Sequence, residues 1–227
     1  MRKYPAGAGA QHRTLYGIAL IAGLEQFEAT RPLAAGFRTL NDALITLLLE
    51  KAPLLTAQTV ARAGVRVGDY QFDRVVRQID RACQLADGGA RGPVFRAVFP
   101  DHVGCVVAPT GAGQVTAGDA FVRRLEASGV EGVAAIREAW LPELKTRLAD
   151  LKAAVAARDE AGVKLAGYRA REEALCEDHE LALERVMGQV RALYPRQRDL
   201  WNAIFPPAER NRETPEADDD PAPTPEA

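Results

Sequence analysis

The chain contains few of the residues that most often carry covalent chemistry. It has one serine, Ser128, and three cysteines, Cys83, Cys105 and Cys176. No G-x-S-x-G motif occurs, so the nucleophile elbow of the serine hydrolases is absent. Because three widely spaced cysteines cannot form a complete disulfide framework, the sequence indicates a reducing compartment, and we expect a cytoplasmic protein.

Long apolar runs are also scarce. Near the N-terminus, residues 15–24 form an apolar run that follows Arg13 and ends at Glu25 without a small-residue cleavage site. A membrane span needs about 20 apolar residues. The sequence therefore predicts neither a cleaved secretory signal nor a helix that crosses a bilayer.

Lysine and aromatic residues are few. Five lysines stand against 24 arginines, and aromatic residues make up 6% of the chain. The arginine excess is typical of a GC-rich bacterial genome, and no basic run with stacking aromatics accompanies it, so we expect no nucleic-acid binding. The abundant alanine, leucine, glutamate and arginine favour helix over sheet, because these side chains lose little rotamer freedom in a helix.

Two pairs of segments in the chain resemble each other. Residues 63–70 match residues 161–168, and residues 96–100 match residues 191–195. The first pair is offset by 98 positions and the second by 95. A single duplicated unit explains both pairs, and duplicated units bury against each other what neither can bury alone.

Apolar periodicity predicts three helices in the first half of the chain. They cover 12–29, 37–63 and about 69–86, and Pro53 is expected to bend or restart the second of them. Residues 88–118 are rich in glycine and proline, and we interpret this stretch as part of a linker between the duplicated units.

The second half contains two apolar seams with coiled-coil spacing. One runs from Leu141 to Val155 and the other from Cys176 to Leu193, and a polar stretch around Gly162 separates them. Either Gly162 turns the chain into an antiparallel hairpin, or one helix of about 60 residues runs through. The polar gap favours the hairpin, in which the two seams would face each other.

These patterns predict an all-α protein. We expect an elongated four-helix bundle built from two duplicated antiparallel hairpins, about 37–100 and 130–195, with a short extra N-terminal helix. A linker, 101–129, joins the hairpins within a single domain over 12–207. The N-terminus, 1–11, and the acidic, proline-rich tail, 208–227, are predicted to be disordered.

None of the motifs for phosphate or covalent chemistry is complete. Gly113 and Gly118 have the outer spacing of a phosphate loop, but Asp119 stands where its lysine belongs and Ala120 replaces its hydroxyl. The pair His102 and Cys105 is only three residues apart, whereas catalytic Cys/His pairs are assembled by the fold.

The residues Cys176, His179 and Glu180 share one helical segment and could belong to a metal-binding bundle. The first repeat has no histidine on a helix, so a polar side chain within the seam is the simpler interpretation. We therefore predict no catalytic residue, no cofactor and no metal ligand.

The sequence predicts a non-enzymatic helical scaffold that binds a protein partner or a second copy of itself. A membrane-active bundle of the pore-forming kind is the alternative, although we expect no membrane binding, and a metal-binding bundle is the third possibility. Trp201, Ile204 and Phe205 are the candidate partner-binding residues, since aromatic anchors beside a tail can bind a partner. The same three residues could instead close the end of the bundle.

Overall fold

Helices make up all the regular structure in the part of the chain that the structure describes. The structure is a computed structural model, and it describes residues 3–5 and 7–207. The predicted all-α class is confirmed. A single 3-10 turn, Glu28–Thr30, precedes the second helix. The α-helices are α1 Ala10–Glu25, α2 Arg31–Ala86, α3 Pro93–Val98, α4 Gly104–Val107, α5 Ala112–Ala127, α6 Val133–Leu193 and α7 Arg198–Ile204.

Helix α2 is continuous, and the predicted break between 63 and 69 is wrong. It begins at Arg31 and runs for 56 residues through Pro53. Gly68 does not interrupt it, because this glycine lies where α2 and α6 approach closely. A Cβ atom at Gly68 would lie 3.3 Å from the Cα of Leu151. Packing of an apolar face thus outweighs the weak intrinsic helix propensity of proline and glycine.

Helix α6 is continuous as well, so the turn predicted at Gly162 is wrong. The helix runs for 61 residues and includes both Pro142 and Gly162. A Cβ atom at Gly162 would meet no other atom within 4 Å, so this glycine marks neither a turn nor a close contact. The four-helix bundle built from two hairpins is therefore not confirmed.

The internal duplication is also not confirmed. Its two tyrosines differ in environment, because Tyr70 is 67% exposed on α2 and Tyr168 is fully buried on α6. The second pair of matching segments differs too, since Arg96 lies in the short helix α3 and Arg191 near the end of α6.

The described residues form two compact units. Unit 1 comprises Met1–Leu49 and Arg169–Ala227, and unit 2 comprises Glu50–Tyr168. The long helices α2 and α6 contribute to both units, so the predicted single domain over 12–207 stays a prediction. The buried core of unit 1 consists of Tyr4, Tyr16, Leu20, Ile21, Leu24, Ala34, Phe37, Leu183, Val186, Val190, Ile204 and Phe205.

Unit 2 has its own core, which packs α3, α4 and α5 against its parts of α2 and α6. Its buried side chains include Phe72, Val76, Ile79, Phe95, Phe99, Phe121, Leu125, Leu144, Leu148 and Leu151. The seam that contains Leu148 thus belongs to unit 2, whereas the seam that contains Leu183 belongs to unit 1. The prediction that these two seams face each other is wrong, because they lie in separate cores along one helix.

The stretch interpreted as a linker is largely helical. It contains α3, α4 and the start of α5, and the carboxylate of Asp87 accepts hydrogen bonds from the backbone N–H groups of Val94 and Phe95 at 3.1 and 2.8 Å. Gly118 lies inside α5, and a Cβ atom there would stand 2.7 Å from the Cδ1 of Leu148. This glycine permits close helix packing, which composition alone cannot distinguish from flexibility.

The structure describes much of the N-terminal segment but not the C-terminal tail. The predicted tail, 208–227, lies outside the described residues, as do residues 1, 2 and 6. In the described part of the N-terminal segment the prediction of disorder is wrong. The side chain of Tyr4 is 3% exposed, and Lys3 forms an ion pair with Glu184 at 2.8 Å.

Candidate functional site

The three candidate partner-binding residues lie at the end of unit 1. Ile204 and Phe205 are 1% and 2% exposed, and only Trp201 of the three is half-buried. The indole Nε1 of Trp201 donates a hydrogen bond to the carbonyl of Tyr194 at 2.9 Å. Helix α7 can lie on α1 because a Cβ atom at Gly23 would stand 2.3 Å from the carbonyl oxygen of Ile204. The arrangement has the features of a cap, and partner binding at these residues stays a prediction.

A buried polar network surrounds His179 in the core of unit 1. The His179 ring is fully buried, and its Nδ1 and Nε2 atoms lie 3.2 and 3.3 Å from Tyr4 Oη and Asn41 Oδ1. The Nη1 of Arg13 donates to Tyr4 Oη at 2.7 Å. Because the arginine occupies the tyrosine oxygen as an acceptor, the Tyr4 hydroxyl donates to His179 Nδ1, and His179 Nε2 then donates to Asn41.

The network keeps His179 neutral. Burial disfavours the charged imidazolium, and the positive charge of Arg13 adds to this, so the pKa of His179 falls from 6.5 to about 4. Because the ring is fully buried, no substrate reaches it in this structure. The network specifies how α1, α2 and α6 pack in unit 1 and has no evident catalytic use.

The metal-binding hypothesis finds no ligand set at this place. Arg13 donates to the carbonyl oxygen of Cys176 at 3.0 Å and to the carboxylate of Glu180 at 3.2 Å, so this carboxylate already has a cationic partner. Within residues 3–5 and 7–207, no group of three or more His, Cys, Asp or Glu side chains is placed to hold a metal ion.

The pair of His102 and Cys105 is close but exposed. The Cys105 Sγ lies 3.6 Å from His102 Nε2, and the Cys105 backbone N–H donates to His102 Nδ1 at 3.2 Å. Both side chains lie on the surface at the start of α4. A nucleophile needs a pocket that binds its substrate, and this pair lies outside the cavities lined by Arg62, by Tyr16 and by Arg77.

A seam of apolar and small residues faces solvent on the outer side of α2 in unit 2. We call Val60, Ala63, Val67 and Tyr70 the outer seam. Val60, Val67 and Tyr70 are 66%, 55% and 67% exposed. The seam residues are spaced three, four and three apart, which is the spacing by which one helix packs on another in a coiled coil.

Unpaired positive charge borders the outer seam. Arg66 and Arg74 are exposed, and neither side chain has a hydrogen bond or an ion pair with any other residue in 3–5 and 7–207. The neighbouring acids are engaged elsewhere. The Asp69 carboxylate accepts the backbone N–H of Gly111 at 3.0 Å, and Asp73 accepts a hydrogen bond from the side chain of Gln114.

Sequence reasoning missed the outer seam because it placed a turn between Gly64 and Gly68. The spacing of the seam is present in the sequence, but it becomes visible only when α2 is treated as one helix. The arginine excess was interpreted as a genomic bias, so the sequence did not single out the arginines beside the seam. In the structure, the nearby Asp69 and Asp73 accept hydrogen bonds from Gly111 and Gln114.

One helical segment passes a test for membrane spans by length and composition. The segment Glu28–Ala86 contains an 18-residue window that is apolar enough to cross a bilayer, and 11% of that window is buried. The expectation that no helix crosses a bilayer stays a prediction. Helices that never enter a membrane pass the same test, so the finding does not by itself indicate a membrane protein.

Comparison with known proteins adds no further constraint. No protein-family model, no curated protein and no solved structure matches this chain.

Proposed function

We propose that this chain is a non-enzymatic interaction protein that binds a partner helix along the outer seam of unit 2. The observation that supports the proposal is the exposure of Val60, Val67 and Tyr70 at coiled-coil spacing on a continuous helix. Burial of apolar surface is the main driving force of protein association, and tyrosine is enriched among the residues that contribute most to binding. No catalytic residue, cofactor or metal enters this proposal, and the cytoplasm remains the expected compartment.

A helix fits this surface better than a bilayer does. The apolar positions form a narrow seam, and arginines border it at Arg66 and Arg74. Helices that lie in a membrane interface usually present a broad apolar face with Leu, Phe or Trp side chains. A narrow seam matches one row of side chains on a facing helix, as in helix-in-groove recognition.

The charges favour an acidic partner over a second copy of this chain. Arg66 and Arg74 have no partner among the described residues, so a helix with Glu or Asp beside its own seam would supply one. Two copies that packed through the same seam would bring these arginines together, and like charges across an interface are unfavourable. The partner we propose is therefore an amphipathic helix with an apolar seam and acidic flanks.

Titration with designed peptides tests this proposal. The probe is a helical peptide of about three heptads with Leu in the seam and Glu at the flanking positions. We expect it to bind the full chain, and we expect the double variant Val60→Asp/Val67→Asp to lose at least about 100-fold in affinity, because burial of an unpaired carboxylate is costly. The control variant Val163→Asp changes a residue that is 72% exposed on α6 and should bind normally.

Two matched peptides and one vesicle assay complete the design. A peptide with Lys in place of Glu, and a peptide with Ser in its seam, should both bind weakly. Equal binding of the Glu and Lys peptides would contradict the charge argument. The membrane alternative predicts a different result. The unmodified chain would bind anionic vesicles and no peptide, and Val60→Asp/Val67→Asp would abolish the vesicle binding. That result would refute the proposal.

A further inference from the structure

Unit 2 contains a cavity of about 560 Å³ between α2, α6 and the start of α5. Its volume lies within the range of sites that bind small molecules. Six of its eight lining residues have a polar or charged side chain, and Val65 is its one large apolar side chain. The lining residues are Thr59, Arg62, Val65, Arg66, Asp69, Thr110, Gly111 and Arg158.

Three guanidinium groups line this cavity against one carboxylate. The carboxylate of Asp69 is already engaged, since its two oxygens lie 3.0 and 3.3 Å from the backbone nitrogen of Gly111. Arg62 and Arg66 have no side-chain hydrogen bond or ion pair with any residue that the structure describes. With three guanidinium groups and one carboxylate in its lining, the cavity wall carries a net positive charge.

The third guanidinium is partly available. The Nε and Nη2 atoms of Arg158 donate to the Asp159 carboxylate at 3.0 and 2.7 Å, which leaves Nη1. A Cβ atom at Gly111 would lie 3.0 Å from that Nη1. Gly111 also has a φ of 57°, a conformation that glycine adopts most readily. A glycine at this position thus permits the close approach of Arg158 to the backbone at the cavity wall.

We propose that this cavity binds a compound with two or more phosphate groups, of which inorganic triphosphate is the simplest. Arginine is suited to phosphate because its planar guanidinium donates two parallel hydrogen bonds to a pair of oxygens. Because two arginines of the lining are unpaired, a ligand with more than one anionic group can bind both of them. No aromatic ring lines the cavity, so nothing in its wall would stack on a nucleobase, and the phosphate chain itself is the recognised part.

The cavity and the proposed partner surface share one residue, Arg66, which borders the outer seam and also lines the cavity. The cavity lies on the side of α2 that faces α5 and α6, and none of its lining residues belongs to the outer seam. The variant Val60→Asp/Val67→Asp should therefore keep its affinity for triphosphate. The two proposals can still be distinguished, because the designed peptide tests the outer seam and triphosphate tests the cavity.

Calorimetric titration of the full chain with inorganic triphosphate, at constant ionic strength, tests the site. We expect triphosphate to bind the unmodified chain. The variant Arg62→Gln/Arg66→Gln should lose at least about tenfold in affinity, because hydrogen bonds between charged groups are stronger than those between neutral groups. The control Arg96→Gln/Arg123→Gln removes two exposed arginines of unit 2 that lie outside the cavity. This control should bind as the unmodified chain does.

Several outcomes would overturn the inference. No heat of binding at millimolar triphosphate, or an equal loss of affinity in both arginine pairs, would show that the cavity is not a site. Tighter binding of a nucleoside triphosphate than of inorganic triphosphate would refute the proposed ligand class. If Arg62→Gln/Arg66→Gln does not fold, the single variant Arg158→Gln replaces it and should also weaken binding.

Discussion

Leu148→Ala and Leu183→Ala should each lower the free energy of unfolding by about 2–5 kcal/mol. Truncation of a buried leucine loses the free energy of transferring its methyl groups out of water and leaves a cavity. Leu148 is 4% exposed in the core of unit 2, and Leu183 is fully buried in the core of unit 1. Since the two residues share no contacts within a core, their effects should add in the double variant. Urea denaturation followed by circular dichroism measures all three values.

The control for these variants is Leu181→Ala. Leu181 is 51% exposed on the same helix, α6, and its truncation should change the free energy of unfolding by less than about 0.5 kcal/mol. A loss below about 0.5 kcal/mol at both Leu148 and Leu183 would mean that the seams of α6 face solvent, against the account of the two cores.

Acidification from pH 6.5 to pH 4 should destabilise unit 1 through His179. The pKa of this histidine falls from 6.5 to about 4 in the folded chain, so in this interval the unfolded chain binds a proton that the folded chain does not. The contribution of the lowered His179 pKa to the free energy of unfolding is fully present above pH 6.5. It decreases by about 3 kcal/mol as the pH falls towards 4. Denaturation midpoints at several pH values measure the slope.

Replacement of the histidine identifies its share of this slope. His179→Gln removes the titrating group and should flatten the dependence between pH 6.5 and 4, whereas His102→Gln, at an exposed position, should retain it. An unchanged slope in His179→Gln would show that the buried network is not the source of the acid sensitivity.

Apolar periodicity predicted the fold class and much of the two cores. Phe72, Val76, Ile79 and Cys83 recur at steps of three and four in the sequence, and all four are fully buried. The same spacing places Leu144, Leu148 and Leu151 in the core of unit 2. This signal is reliable because a stripe of apolar residues along a helix has to be buried against other elements.

The connectivity of the helices could not be predicted, because glycine and proline have several structural uses. Gly68 and Gly118 lie at close helix contacts, Gly111 has a positive φ, and Gly162 meets nothing. In the sequence all four look alike. The free energy by which glycine or proline favours a turn is small compared with the free energy gained by burying the apolar face of a long helix. Tertiary packing therefore determines whether the chain turns or the helix continues.

The outer seam and the cavity could not be predicted from the sequence for a related reason. The outer seam exists only because α2 is continuous. The cavity exists only because the fold brings Arg158 to the same cavity wall as Arg62 and Arg66, which are distant from it in the sequence. Arginine content alone suggested a genomic bias. The structure shows which arginines lack a partner, and that property is what indicates a binding surface.

Oxidative footprinting of Tyr70 in the presence of the acidic seam peptide tests the central claim most directly. Tyr70 is 67% exposed, whereas Tyr4, Tyr16 and Tyr168 are buried, so labelling of Tyr70 reports on the outer seam. The account predicts that the peptide with Glu flanks protects Tyr70 and leaves the labelling of Tyr194, in unit 1, unchanged. Saturating peptide that leaves Tyr70 fully labelled, or that protects Tyr194 instead, would contradict it.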